Sequence, residues 1–179
     1  MAFRTKKWSL RIHSMIADAT NQCERILAVD LRPHWVGFAV FDAPTRLLDF
    51  GLVKLPSRGS KEIRFIRLVE RFRPRVVVIR GDRHRRRAEA FRRALEPVSA
   101  RYSISVERLG EHAVRHHFEG LGVHNKEQRS ALLAQQFSEL AWKVPPARKR
   151  WQHEHQNMPI FDAVATGVVY VQSTAKALR

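Results

Sequence analysis

Ile26-Leu-Ala-Val-Asp30, followed after Leu31-Arg-Pro-His-Trp35 by Val36-Gly-Phe-Ala-Val-Phe41, is the stretch that decides how this chain folds. Both runs are short, apolar and rich in β-branched or aromatic residues, the composition of buried strands. A connection this short joins antiparallel neighbours. A third run, 47–55, follows the turn residues Ala43-Pro44-Thr45 and extends the antiparallel pair to three strands. Asp30 closes the first run. It therefore puts a carboxylate at the carboxyl end of a buried strand, where ligands of α/β sheets gather.

Residues 61–73 change to helical period, with Phe65, Ile66, Val69 and Phe72 on one side and Pro74 as the stop. Val76-Val-Val-Ile79 is a continuous apolar run of the kind that parallel sheets bury on both faces. A right-handed crossover would set it beside the first strand. Arg83 to Glu96 is helical, with Ala88, Phe91 and Leu95 as its buried stripe, and Pro97 is expected to end it. Tyr102-Ser-Ile-Ser-Val106 is the next expected strand. Helices are then expected over 111–118, over 125–141 with Asn125 as N-cap, and over 158–172 with Pro159 in the first turn. The expected fold is α/β: a mixed five-stranded sheet, its first three strands antiparallel and the rest parallel, with helices on both faces. That domain occupies residues 25–175, after a basic N-terminal arm over 1–24.

Composition narrows the partners. Lys and Arg number 33 against 17 Asp and Glu, a formal net charge of +16, which favours nucleic acid or another polyanion. The single Cys23 excludes an intramolecular disulfide framework and a cysteine-based zinc cluster, and suits a reducing cytosol. No stretch reaches the roughly 18 apolar residues of a membrane helix, and no signal-peptide core follows Met1, so a cytoplasmic protein is expected.

Carboxylates supply the candidate chemistry. Asp30 ends the first strand, Asp82 follows the fourth, and Asp162 is expected in the first turn of the last helix, where Ala163, Ala165 and Gly167 permit close packing on the sheet. Three carboxylates converging within about 4–6 Å would hold Mg²⁺ or Mn²⁺, hard cations that prefer oxygen. Such ions activate water and stabilise a leaving oxygen in phosphodiester cleavage. Each residue also has a duller role: Asp30 and Asp82 as turn or helix caps, Asp162 as a partner of the helix dipole.

With these residues in place, the chain resembles the RuvC-type resolvase branch of the RNase H-like nuclease superfamily over residues 25–172. Ile26-Leu-Ala-Val-Asp30 with Gly37 stands where that family has D-P-G-S-x-x-T-G, and Arg75-Val-Val-Val-Ile79 is its strand leading to a catalytic Glu. Gly120-Leu-Gly-Val-His-Asn-Lys126 is similar to its G-x-G-x-x-x-K stretch, and Asp162-Ala-Val-Ala165 to its closing D-A-L-A. The resemblance implies an RNase H-like fold and metal-dependent cleavage of branched nucleic acid, Holliday junctions foremost, with DNA ahead of RNA. Asp30 and Asp162 carry over directly as catalytic and metal-binding residues, and Asp82 joins them if its strand continues far enough to put it on the same side as Arg80. A homodimer is implied, since two strands must be cut.

The chain departs from that pattern at three places, the first being Leu31-Arg32 where the family has Pro-Gly after the first Asp. Arg80 stands where the family places Glu, and Pro159 where it places Asp or His. Glu154 or His155 is a candidate for the missing fourth group. Arg80 could grip a scissile phosphate bidentately, or pair with Asp30 or Asp162 in place of the metal. The second outcome describes a nucleic-acid binder without catalysis. An actin-like phosphotransferase shares the first-strand Asp, but needs two such domains and Gly-rich loops that a chain with 8 glycines does not supply.

The expected nucleic-acid contacts are Arg80, Arg83, Arg85, Arg86, Arg87 and Lys126, together with Arg148, Lys149 and Arg150 beside Trp151. A basic run ending in an exposed Trp suits backbone gripping with base stacking. No zinc finger, aromatic RNP signature or helix-turn-helix is visible, so base-specific readout is not expected.

Overall fold

The computed structural model describes residues 25–43, 45–55, 63–81, 85–146, 151 and 153–177. The basic arm over 1–24 lies outside the described residues. Five strands form one sheet: β1 (Ile26–Leu31), β2 (Trp35–Ala43), β3 (Arg46–Lys54), β4 (Val76–Arg80) and β5 (Ser105–Leu109), in the order β3-β2-β1-β4-β5. The β1–β2 and β2–β3 pairs are antiparallel, and the β1–β4 and β4–β5 pairs are parallel. Helices α1 (Ile63–Phe72), α2 (Arg85–Tyr102), α3 (Glu111–Glu119), α4 (Lys126–Gln136) and α5 (Met158–Ala177) cover it, with a 3₁₀ segment over Ser138–Lys143. Among the described residues no helix is long and apolar enough to cross a membrane.

Strand alternation sorts the core into two layers. Leu27, Val29 and Leu31 of β1 join Val77 and Ile79 of β4 against Phe65, Val69 and Phe72 of α1 and Ala88, Phe91 and Leu95 of α2. Ala28 of β1 and Ala39 and Phe41 of β2 face the other way, toward Phe161, Val164 and Val168 of α5 and Leu133 of α4. Each fully buried Phe or Leu contributes roughly 1.5–3 kcal/mol. Asp30, even-numbered like Ala28, lies on the α5 face.

Two glycines let α5 approach the sheet. A Cβ at Gly37 would lie 2.1 Å from the Pro159 carbonyl oxygen, and one at Gly167 would lie 2.2 Å from the Phe41 ring. Bare sheet backbone thus meets the helix at Gly37 and bare helix backbone meets the Phe41 ring at Gly167, which seats Asp162 against the carboxyl end of β1.

The structure corrects several local expectations. Pro97 does not end its helix but lies within α2, which continues to Tyr102. Val98 and Tyr102 pack against the α1–α2 core layer, and that packing outweighs the lost backbone hydrogen bond. Ser103, at φ 53, closes the helix, so the fifth strand begins at Ser105 rather than Tyr102. The helix expected over 125–141 stops at Gln136, where extended Phe137 turns its ring into the core. Asp162 is not in the first turn of α5, which holds no acidic residue; it stands one turn further in.

Candidate functional site

The carboxyl ends of β1 and β4 meet the N-terminal part of α5 in a cluster of charges. Asp30 and Arg80 are paired directly across the parallel β1–β4 ladder, so their side chains leave the sheet on the same face. Asp162 comes down on them from α5. Asp30 is 6% exposed and Asp162 0%, and buried carboxylates persist only when paired.

The partners are cations of the chain itself. Arg32 follows β1, in a turn closed by its N–H donating to the Trp35 carbonyl at 2.8 Å. Its side chain folds back, with Nε donating to Asp30 Oδ2 at 2.6 Å and Nη2 donating to Asp162 Oδ2 at 2.7 Å. Its Nη1 reaches Glu154 at 3.1 Å. Arg80 Nη1 lies 2.5 Å from Asp162 Oδ1, and its Nη2 lies 3.3 Å from Glu111 at the start of α3. From α4, Lys126 Nζ donates to Asp162 Oδ2 at 2.9 Å and also to Glu154, while Arg129 Nη2 donates to Asp162 Oδ1. Lys126 and Arg129 share one face of α4 by their i, i+3 spacing. That helix is oriented by Asn125, the expected N-cap, whose Oδ1 accepts from the Gln128 N–H at 2.7 Å.

The electrostatics follow from burial set against these neighbours. Burial alone would raise the Asp162 carboxyl, but Arg80, Lys126 and Arg129 hold it well below the usual carboxylate range. Asp30 moves the other way: burial and the adjacent Asp162 charge push it up, against Arg32 and Arg80. Burial draws the Arg129 guanidinium below its ordinary value, whereas Arg80, equally enclosed, is carried upward by Asp162 and Asp30.

This donor set does not fit a divalent metal centre. Among the described residues four carboxylates (Asp30, Asp162, Glu154 and Glu111) meet four cations (Arg32, Arg80, Lys126 and Arg129), so the negative charge that would attract two divalent ions is already matched there. Among the described residues no group of three or more His, Cys, Asp or Glu side chains is arranged to hold a metal. Asp30 and Asp162 do converge, but across the width of one guanidinium.

The other expected site residues are divided. Strand β4 ends at Arg80, short of Asp82, so nothing here carries the extended strand that would align Asp82 with Arg80. Asp82 itself lies outside the described residues, as do Arg83, Arg148, Lys149 and Arg150. Arg85 and Arg87 open α2, and only their backbone is described; Arg86 is exposed. Trp151 is 79% exposed. Of the two groups considered for a fourth ligand, Glu154 reaches the cluster, while His155 Nδ1 accepts from the Asn157 N–H at 3.2 Å in the turn before α5. Arg32, Glu111 and Arg129 were not expected in the site. Arg32 carried a signal, an arginine within reach of Asp30 by its place in the next turn; Arg129 and Glu111 carried none.

No family model matches the sequence, and no curated protein matches it. Solved structures do. The Thermus thermophilus RuvC structure aligns at TM-score 0.60 and 16% identity over 86% of this chain and 96% of that one. RuvC of T. thermophilus in complex with Holliday junction substrate aligns at 0.59 with 16% identity over 86% and 96%. A Fowlpox virus resolvase in complex with substrate Holliday junction DNA aligns at 0.50 with 11% identity, over 84% and 98%. The fold is therefore RNase H-like in its RuvC form.

Proposed function

We propose that this chain, built on a RuvC-like fold, binds branched or structured DNA and does not cleave it by metal-dependent chemistry. The observation that carries the reading is Arg80 on Asp162. A guanidinium occupies the strand position beside Asp30 where the resolvase pattern has a carboxylate, and it is ion-paired at 2.5 Å. The net charge of +16 supports a polyanionic partner, and six to ten phosphate contacts would weaken binding about 10³–10⁵-fold between 50 and 200 mM salt. Neighbours crystallised with Holliday junction DNA support junctions as the first substrates to try.

A second reading keeps the enzyme: a Mg²⁺- or Mn²⁺-dependent endonuclease resolving Holliday junctions as a homodimer. It is favoured by Asp30 and Asp162 meeting across a single guanidinium. One experiment separates the two. Four-way junctions, duplex, single strands and structured RNA are incubated with the protein in EDTA, Mg²⁺ or Mn²⁺, then resolved on native and denaturing gels. The binder gives salt-sensitive complexes indifferent to EDTA and no cut strand. Strand cleavage that needs metal and disappears in Asp30→Asn replaces it with the nuclease. Absence of any complex at low salt removes both.

A further inference from the structure

A cationic feature lies on the opposite face of the sheet from the charge cluster. A cleft of about 530 Å³ is lined by Arg86, Glu89, Ala90 and Arg93 of α2 and by Arg108 of β5. The face follows from alternation. Arg108 stands opposite Ile79 in the β4–β5 ladder, two residues after Val106, and both Ile79 and Val106 belong to the α1–α2 core layer. Glu107, between them, points the other way and accepts from the Tyr170 hydroxyl of α5 at 2.9 Å.

Gly81 backs the Arg108 side chain. A Cβ there would lie 2.3 Å from both Cγ and Cδ of Arg108, so the arginine stem lies flat across the chain as it leaves β4. Arg86 and Arg93, seven residues apart on α2, fall on one helix face. Glu89 between them is held by Arg92 at 2.8 Å and Arg93 at 3.6 Å, which leaves the cleft with more positive than negative charge.

We propose that this cleft grips the sugar–phosphate backbone of a second stretch of the nucleic acid whose first stretch meets the sheet face that carries the charge cluster. The inference rests on the nucleic-acid reading above and adds to it a path around the β5 edge. The occupant follows from the walls. They are open, with the Arg93 side chain 72% exposed, so no enclosed donor retains a small anion. A repeating polyanion, by contrast, gains from several weak contacts and from the counterions they release. Because the cleft and the charge cluster lie on opposite faces of the sheet, one short strand cannot reach both. A branched or long nucleic acid can.

The test is a triple variant, Arg86→Gln with Arg93→Gln and Arg108→Gln, beside Gly81→Ala, whose methyl displaces the flexible Arg108 stem. Affinity for a four-way junction and for a strand of about six nucleotides is measured between 50 and 200 mM salt, with far-ultraviolet circular dichroism to verify the fold. Three lost phosphate contacts should flatten the slope of log K against log[salt] for the junction by about 2–3. Gly81→Ala should flatten it by about 1, and binding of the short strand should stay as in the wild type. An unchanged junction slope in the triple variant removes the cleft from the path while wild-type binding preserves the nucleic-acid reading. If the wild type binds no nucleic acid, both fall. Inorganic tripolyphosphate is the remaining arm: if it binds the wild type more tightly than the junction does, and not the triple variant, the cleft is a site for free oligophosphate and the proposed occupant is wrong.

Discussion

Arg80 stands across the β1–β4 ladder from Asp30, yet its guanidinium closes on Asp162 of α5 at 2.5 Å. The contact ties the middle of the sheet to the helix that covers it. Asp162 in turn receives Arg32, Lys126 and Arg129, so one carboxylate organises side chains from the β1 turn, β4 and α4. Its removal leaves the buried Arg80 and Arg129 facing one another and the half-buried Arg32 and Lys126.

Asp162→Asn should therefore destabilise the fold by about 3–5 kcal/mol, the cost of breaking a buried pair from one side. Combining it with Arg80→Met should recover part of that loss, because the uncompensated charge goes too. Urea unfolding of the single and double variants completes a double-mutant cycle. Additive losses would mean that the Arg80–Asp162 contact carries no coupling energy.

Divalent metal should leave wild-type thermal stability unchanged, since the carboxylates are already matched by cations. Arg80→Glu replaces a cation with a carboxylate beside Asp30. It should melt lower than the wild type in EDTA and regain stability in Mn²⁺, by about 2.7 kcal/mol at a hundred times the dissociation constant. Differential scanning calorimetry with and without Mn²⁺ reads both effects. A wild-type protein that melts higher in Mn²⁺ would show that the native cluster accepts metal.

Stability against pH should carry two opposed contributions. The Asp162 pKa is depressed on folding, so its stabilisation is present above the ordinary carboxylate value of 3.8 and is lost as pH falls below it. The Asp30 pKa is raised on folding, so ionising it in the folded state costs stability that returns as pH falls from neutral toward 3.8. Stability relative to Asp30→Asn should thus rise on mild acidification, and relative to Asp162→Asn it should fall below about pH 4. Urea melts of the three proteins across pH provide the comparison, and parallel curves would contradict the assignment.

Gly37→Ala forces a methyl against the Pro159 backbone, 2.1 Å from its carbonyl oxygen, where no side chain can give way. Overpacking of this kind costs about 1–3 kcal/mol. The shift of α5 should also loosen the charge cluster, seen as faster hydrogen exchange at the β1 and α5 amides around Asp30 and Asp162. Wild-type stability and exchange would mean that the helix start is not seated on Gly37.

Asp30 at a strand end, Gly37 on the neighbouring strand and Ala163 and Gly167 on the closing helix could be recognised along the chain because strand and helix periods are local properties. Hairpins too short for a crossover and a right-handed return then set the sheet order. Local rules misplaced the end of α2 because the packing of Val98 and Tyr102 outweighs the break that Pro97 signals. Which cation meets which carboxylate was decided only in three dimensions. Arg32 and Asp162 lie 130 residues apart, and Arg129 differs from the chain's many exposed arginines only in that folding buries it. Sequence alone thus determined the fold and the meeting of two acids. Tertiary structure decided that arginine and lysine neutralise them, because desolvation leaves a buried charge only the partners within reach.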